Sequence, residues 1–277
     1  MSNLSDIGFP VQNQDEWMEL LDRVQPHTVE VKVRGGSYFS YSDASGAQLW
    51  VQVNAQRELI GMNPHFTGTS RRTVRLTRLV ERDSSPLEGG FYGWANPRTD
   101  APEAIAEEDQ SEGDYPFFFI VPDIRAVESV VLPSTVEVQL AAFASDDMQL
   151  FDSTEAYDAA QEGEVKFAAE SFIPSGLFTT NEDGDVDTSL PPQPYGLFAG
   201  TIAACEERQN ALTGAAFWWL AVNTLGGMVD VVAAPDIVGT SPRVGGIVSG
   251  SFYLSGRVLN APITAPKPRF TWAWQRK

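Results

Sequence analysis

The sequence has 277 residues, 43% hydrophobic and 20% charged, a composition typical of a globular protein with a core. It has no run of about 18 apolar residues, which argues against a transmembrane helix and membrane association. The net charge of −18 repels polyanions, so we do not expect non-specific binding to nucleic acid. Cys205 is the single cysteine, and the first residues do not resemble a secretory signal, so we expect a protein of the bacterial cytoplasm.

The first predicted element is a helix over residues 13–24. Asn13 and Glu16 have the three-residue spacing of a capping box. From Trp17 to Val24, apolar residues recur at the spacing of one helix face. This stripe indicates a helix packed on its own domain, with a partner-binding face as the alternative.

Beyond the helix, apolar and polar residues alternate with the period of two that is typical of β-strands. Turn-forming residues separate the runs, as in GMNPHFTG at 61–68. A second helix is predicted over 153–161, with Asp152 or Glu155 as its cap. The predicted strands cover residues 29–33, 47–53, 73–79, 117–121 and 136–144.

Five arginines lie close together in RRTVRLTRLVER at 71–82. If the segment is a strand, Arg75 and Thr77 face solvent; if it is a helix, the arginines fan outward from an apolar face. Both arrangements place guanidinium groups at the surface, where they suit phosphate or carboxylate recognition. Pairing with acidic segments of the same chain is the alternative. The candidate binding residues of this run are Arg71, Arg72, Arg75 and Arg78.

Two acidic segments with flanking prolines interrupt the strands, at 98–116 and 177–194. Their polar composition predicts a solvated loop and a linker, and the linker is the expected boundary between two domains. Within the linker, Asp183, Asp185 and Asp187 stand at alternate positions and offer the oxygen ligands that Ca²⁺ prefers. The alternative, a hydrated linker without metal, is the one we favour, and we expect no cofactor.

The remaining chain, 195–277, has the element order of a small β-barrel. A strand containing glycine (GLFAGTI) leads through a long hairpin built on AAFWWLAVNT to a last strand, GIVSGSFYLSGRV. In this order residues 195–258 resemble OB-fold domains, and the resemblance implies a small barrel rather than a particular ligand. The expected fold class is mainly β: an N-terminal helix with a β-sandwich or barrel over 1–176, followed by a small OB-like β-barrel.

Three aromatic residues, Phe217, Trp218 and Trp219, stand side by side in the hairpin strand. Neighbouring strand residues point to opposite faces, so at least one ring lies outside the barrel. Tyr253 beside Phe252 repeats the pattern on the last strand. Such rings are either covered by the N-terminal domain or form a binding surface. The expected contact residues are Phe217, Trp219 and Tyr253.

Catalytic motifs are weak in this sequence. It has two histidines, His27 and His65, and no serine elbow, zinc-binding helix or nucleotide-binding glycine loop. His65 is the better candidate for a general base, because it is predicted in a turn after a strand and its ordinary pKa is near neutrality. The alternative, which we favour, is a structural histidine that packs on Phe66 and bonds a backbone carbonyl.

These patterns favour a non-enzymatic binding or scaffold protein that acts through protein–protein contacts or self-association. A second hypothesis is an OB-type binder of single-stranded nucleic acid. It would use the same aromatic residues with the arginine run or with the basic, aromatic tail PKPRFTWAWQRK at 266–277. A third hypothesis is a hydrolase that uses His65 with a nearby carboxylate.

Overall fold

The computed structural model describes residues 3–82, 85–98, 113–162, 166–179 and 190–259. Over these ranges the chain is mainly β, as the sequence predicts. The helices are α1 (Gln14–Val24), α2 (Thr154–Ala160) and α3 (Pro235–Val238). The strands are β1 (Val29–Val33), β2 (Gly36–Ser42), β3 (Ala47–Asn54), β4 (Leu59–Phe66), β5 (Arg72–Arg82), β6 (Ser85–Ala95), β7 (Pro116–Ile120), β8 (Ser134–Ala144), β9 (Gln149–Phe151), β10 (Ser171–Ile173), β11 (Tyr195–Gln209), β12 (Ala216–Thr224), β13 (Gly227–Ala233) and β14 (Ile247–Val258).

Both predicted helices form, and the predicted cap of α1 is confirmed. The amide N–H of Glu16 donates to Asn13 Oδ1 at 3.0 Å, and Asn13 Nδ2 donates back to the Glu16 carboxylate at 2.8 Å. The cap of α2 differs from the prediction of Asp152 or Glu155. The residue directly before the first helical position is Ser153, whose Oγ accepts from the amide of Ala156, the third helical residue, at 3.3 Å.

Strands β1 to β4 form an antiparallel four-stranded sheet in chain order. The segment GMNPHF at 61–66 belongs to β4, so the prediction of a turn there is wrong. Pro64 lacks the amide hydrogen of a ladder, but β4 is the edge strand of this sheet, where that loss is tolerated. His65 therefore lies in a strand and not in a turn.

Of the other ten described strands, eight build two closed rings of five strands that share the antiparallel pair β8–β14, while β9 pairs with β14 and β10 with β11 outside the rings. The first ring runs β5–β6–β7–β14–β8 and back to β5. The second ring runs β11–β12–β13–β8–β14 and back to β11. Each ring has one parallel pair, β7–β14 in the first and β13–β8 in the second.

The two rings are related by an internal pseudo-twofold symmetry that no repeat in the sequence indicates. The first strand of each ring has a bulge at the matching place, after Leu76 in β5 and after Ile202 in β11. The parallel pairs also match. Ile120 lies opposite Ser255 in one ring, and the corresponding pair in the other consists of Val232 and Phe143.

The second ring has the strand number of an OB-fold barrel, but one of its five strands comes from earlier in the chain. Strand β8 lies before the predicted linker at 177–194, and it is hydrogen-bonded to β13 and β14, which lie after it. Strands from before and from after residues 177–194 therefore belong to one sheet. How the chain divides into independently folding units stays a prediction. Residues 99–112, 180–189 and 260–277, which include most of both acidic segments and the basic tail, are outside the described residues.

The four-stranded sheet packs over the shared pair of strands. His65 on β4 lies within hydrogen-bond distance of Gln139 on β8 and of Ser255 on β14. The guanidinium group of Arg257 on β14 lies 5.0 Å from the centre of the Trp50 ring on β3. A cluster of apolar side chains from the N-terminal residues, β4 and β12 fills the space beside these contacts.

Candidate functional site

A groove of about 520 Å³ lies at one edge of the four-stranded sheet. We call it the amide groove. One wall is the start of α1, with Trp17, and the opposite wall is the edge strand β4. Tyr253 on β14 also lines it. The groove lies where the edge of the first sheet meets the shared strand pair. Its central lining residues are Trp17, Met62, Asn63, Pro64 and Tyr253.

The local sequence explains how each wall of the amide groove is held. The capping box fixes the residue at which α1 begins, and Gln12, Asn13 and Gln14 around that start line the groove. Because β4 is an edge strand, the side of this strand away from β3 has no further strand to cover it. Met62 and Asn63 line the groove from that strand.

Asn63 has a feature that is unusual for a structural residue. Its side-chain nitrogen is buried and has no hydrogen-bond partner, and the residue as a whole is only 8% exposed. Leaving such a donor unsatisfied costs about 1–3 kcal/mol, so buried amides are normally paired. The nitrogen has almost no accessible surface, so it lies beneath the wall of the groove and not on it.

The amide groove is electrically neutral in a strongly acidic chain. Among the described residues that line it, none is charged, and five carry a side-chain amide. Burial raises the pKa of the Tyr253 phenol, and the nearby Glu88 raises it further, so the hydroxyl stays protonated near neutral pH. The chemistry of this lining suits a polar but uncharged ligand, for which Trp17 and Met62 offer apolar contacts.

His65 lies in a chain of buried hydrogen bonds away from this groove. Asp230 accepts from Gln139 Nε2 at 2.8 Å, which turns the Gln139 oxygen toward His65 Nε2 at 3.0 Å. His65 Nε2 must then be the protonated nitrogen, and Nδ1 accepts from the Ser255 hydroxyl at 2.9 Å. Its partners are side chains, so the prediction of a bond to a backbone carbonyl is wrong.

This chain of groups resembles a catalytic relay in composition only. Ser255, His65, Gln139 and Asp230 are each at most 2% exposed, so no described opening leads a substrate to the serine. Burial, and to a smaller extent the charge of Arg257, lowers the pKa of His65 to about 3. The histidine is therefore neutral at pH 7, and the arrangement is that of a structural clamp between the sheets.

Asp230 is the centre of that clamp. Its two oxygens accept from the amides of Thr69 and Ser70 at 2.9 Å, from Ser70 Oγ at 2.5 Å and from Trp219 Nε1 at 2.9 Å, in addition to Gln139. These five hydrogen bonds satisfy both carboxylate oxygens inside the protein. The aspartate connects the start of β5, β8 and β12.

The aromatic residues predicted as contacts have different positions. Phe217 is fully buried and Trp219 is 8% exposed, so neither ring forms a binding surface. They lie outside the second ring, as one of the two possible registers predicts, and they are covered by the N-terminal residues and Phe66 of β4. Trp218 packs toward the ring interior. Of the predicted contacts, Tyr253 is only half-buried and lines the amide groove.

The arginine run forms strand β5, so the helical alternative is wrong. Arg72 points inward with Val74 and is only 4% exposed, which corrects its prediction as a surface residue. It donates to the Gly226 carbonyl at 3.2 Å and to the Tyr115 hydroxyl at 3.2 Å, and so holds the β12–β13 turn. Arg71 and Arg78 are exposed, and Arg75 is half-buried.

No family model, no curated protein and no solved structure matches this chain in the comparisons. Within the described ranges, no group of three or more His, Cys, Asp or Glu side chains is placed to hold a metal ion. The candidate calcium ligands Asp183, Asp185 and Asp187 lie outside those ranges. In the same ranges, no helix is long and apolar enough to cross a bilayer.

Sequence reasoning missed the residues of β4 that line the groove. Met62 and Asn63 stand before a proline in a segment rich in turn formers, and that composition hid the strand. The signal that could have identified it is the length of the preceding strand, 47–54, because a strand that long needs a partner of similar length. Trp17 was recognised only as part of an apolar stripe.

Proposed function

We propose that this chain is a non-enzymatic binding protein that acts through protein–protein contacts, and that the amide groove is its binding site. The observation that supports the proposal most is the lining of the groove, which is uncharged on a strongly acidic chain and combines Trp17 and Met62 with amide side chains at the rim. A preformed concave site with a few converging polar groups is typical of ligand recognition. As part of the same proposal, the protein works in the bacterial cytoplasm.

The lining of the amide groove supports a binding role over a catalytic one. Its described residues include no histidine, cysteine or carboxylate that could act as a base or nucleophile. The one histidine next to a serine is sealed between the two sheets. Binding to a protein segment also suits the amide side chains, because they can pair with the carbonyl and N–H groups of a polypeptide backbone.

Capture of a partner from a lysate of the source organism tests the proposal. The tagged chain is compared with Trp17→Ala and Met62→Gln, which alter the groove, and with Leu225→Ala, which removes an exposed apolar side chain on the distant β12–β13 turn. Circular dichroism checks that each variant is folded. We expect a stoichiometric protein that binds the native chain and the Leu225 variant and is lost from both groove variants. Capture that both groove variants retain would contradict the proposal.

A second candidate function is an OB-type binder of single-stranded nucleic acid. One observation favours it: the guanidinium group of the exposed Arg78 lies 5.3 Å from the ring centre of the half-buried Tyr92, so a cation and an aromatic ring stand side by side on the surface of β5 and β6. Such surfaces can stack bases and contact phosphates. This candidate predicts binding to a labelled oligonucleotide that weakens steeply with salt and on Arg78→Gln. Binding that neither salt nor the variant changes would exclude it.

A further inference from the structure

One wall of the amide groove contains main-chain polar groups, because β4 is the edge strand of its sheet. In an antiparallel pair the residues alternate: one bonds the neighbouring strand through its N–H and C=O, and the next directs both groups the other way. The alternation between β3 and β4 is fixed one step beyond the last pair of the ladder, where the amide of Thr67 donates to the Gly46 carbonyl at 2.8 Å. By this alternation the main chain of Pro64 faces away from β3, which agrees with its lack of an amide hydrogen.

Met62 has the same orientation as Pro64, because it lies two residues before it in an unbroken stretch of the ladder. Its N–H and C=O therefore point away from β3, on the side of the groove that both residues line. Strand β4 pairs with β3 alone, and no described group bonds these main-chain atoms. Met62 is only half-buried. The free edge thus offers the N–H and C=O of Met62 and the C=O of Pro64.

The space beside this edge lies between two layers of the protein. Trp17 and Met62 pack against the apolar cluster between α1 and the four-stranded sheet. On the opposite face of the sheet, His65 contacts Ser255 of β14. At the groove, Trp17 belongs to the first layer and Tyr253 to the second. An extended chain beside β4 would direct its side chains alternately to these two layers.

We infer that the amide groove takes an uncharged segment of a partner polypeptide, which binds in extended conformation as a fifth strand on the free edge of β4. This inference rests on the proposed function and names the class of ligand and its mode of binding. The segment runs antiparallel to β4, as all pairs of this sheet do. One of its residues exchanges two hydrogen bonds with Met62, and the residue two positions away donates its N–H to the Pro64 carbonyl. Its side chains on the α1 side are apolar, because they lie against Trp17.

The pattern of groups at the edge favours a polypeptide over other ligands. A main chain is the ligand that repeats N–H and C=O groups at the spacing of a strand, and pockets for its alternate side chains give specificity. A nucleic acid fits less well, because the described lining offers no lysine or arginine to a phosphate. A second copy of this chain would bring its own β4 to the edge, and Pro64 lacks an N–H in both copies.

Hydrogen exchange of the full chain, read residue by residue by NMR, tests the edge itself. In the free protein the amide hydrogen of Met62 should exchange at least about tenfold faster than those of Asn63 and His65, which bond β3. A Met62 amide that is already protected would show that this chain, or a second copy of it, covers the edge. That result would overturn the inference.

The probe for binding is a peptide selected on the native full chain from a phage-displayed library of random linear peptides. The enriched peptides should be uncharged over their central residues, with apolar residues at alternate positions. A synthetic copy should slow the exchange of the Met62 amide. No enrichment on the native chain, or a peptide that binds without slowing exchange at Met62, would overturn the inference.

Two variants at one position separate the main-chain bond from the side chain. Met62→Pro removes the N–H that points away from β3, and Met62→Val gives a side chain of similar size but keeps the N–H. We expect the peptide to bind the proline variant at least about tenfold more weakly than the valine variant, the effect of one lost hydrogen bond. Equal binding to both variants would contradict the inference.

Circular dichroism checks that the two variants are folded. If the proline variant is not, exchange at Met62 of the native chain decides the question alone. The chain can also capture a cellular protein in a Trp17-dependent manner while no linear peptide protects Met62. In that case the proposed function stands and the inference fails.

Discussion

At the scale of single residues, buried polar groups hold the two sheets together. Asp230 and His65 belong to one continuous chain of hydrogen bonds that ends at Ser255, between the four-stranded sheet and the shared strands. Each of the side chains linked in this way has a hydrogen-bond partner. Asn63, on the same strand as His65, has an unpartnered side-chain nitrogen. Arg72, which holds the β12–β13 turn, likewise has an unpartnered guanidinium nitrogen, so a buried unpaired donor also occurs at a structural position.

Replacing Asp230 by Asn should destabilise the protein by roughly 3–5 kcal/mol, because the new NH₂ group faces donors and leaves them unsatisfied. The measurement is urea unfolding at pH 7. The matched control is Asp158→Asn, an exposed aspartate, which should change the free energy of unfolding by less than about 0.5 kcal/mol. A loss below about 1 kcal/mol for the Asp230 variant would show that its hydrogen bonds contribute little.

His65 predicts a specific dependence of stability on pH. Its pKa in the folded protein, about 3, lies below its ordinary value of 6.5, so the unfolded chain binds the proton more readily. The stability that this residue contributes is present above pH 6.5 and is lost as the pH falls toward 3, by roughly 3–5 kcal/mol in all.

Unfolding of the native chain and of His65→Gln across this pH range measures the effect. The difference between the two free energies of unfolding should shrink or change sign as the pH falls. Taking this difference cancels the contribution of Asp6, whose raised pKa acts in the opposite direction, because Asp6 is present in both proteins. His27→Gln, at an exposed site, is the control and should run parallel to the native chain. A constant difference between native and His65→Gln would refute the assignment.

At the scale of elements, the start of α1 connects local folding to the binding site. The capping box between Asn13 and Glu16 fixes the residue at which the helix begins, and Asn13 with its neighbours Gln12 and Gln14 lines the amide groove. Strand β4 forms the other wall because it is the edge of its sheet. The groove thus lies between the start of a helix and the edge of a sheet. At both places some backbone N–H and C=O groups have no hydrogen-bond partner within the helix or the sheet.

Replacing Asn13 by Ala removes the cap and should lower the free energy of unfolding by about 1 kcal/mol. It should also weaken the binding of any groove ligand, because the rim loses its fixed position. Gln14→Ala is the neighbouring control: it also shortens a rim side chain but leaves the cap intact. Thermal unfolding of the two variants decides the question, and equal stability of both would argue against a role for the cap.

Parts of this architecture follow directly from the sequence. The capping box, the apolar stripe of α1 and the alternation of β5 and β8 are local patterns, and each predicts its element. The closure of the rings is not local. Val258 pairs with Val138, far away in the chain, and such pairing leaves no mark in either strand alone. The inward position of Arg72 was missed because an arginine in a strand suggests solvent, whereas here it bonds a buried turn.

At the scale of the whole molecule, two rings that share β8 and β14 cannot open independently without breaking the shared pair. We therefore expect a single cooperative unfolding transition. Under native conditions, amide hydrogens of β6 in the first ring and β12 in the second should exchange with the same free energy of opening. Hydrogen exchange read by mass spectrometry tests this. Earlier exchange of one whole ring would instead support two folding units divided at 177–194.

The proposed binding site is tested most directly by Met62→Gln, a change of similar volume that replaces an apolar side chain of the amide groove by a polar one. Its free energy of unfolding and its affinity for the protein captured by the native chain are measured together. A binding role predicts a free energy of unfolding within about 1 kcal/mol of the native value, because Met62 is only half-buried, and binding about tenfold weaker. A variant that loses more than about 1 kcal/mol of stability and binds the captured protein as tightly as the native chain would contradict the proposed site.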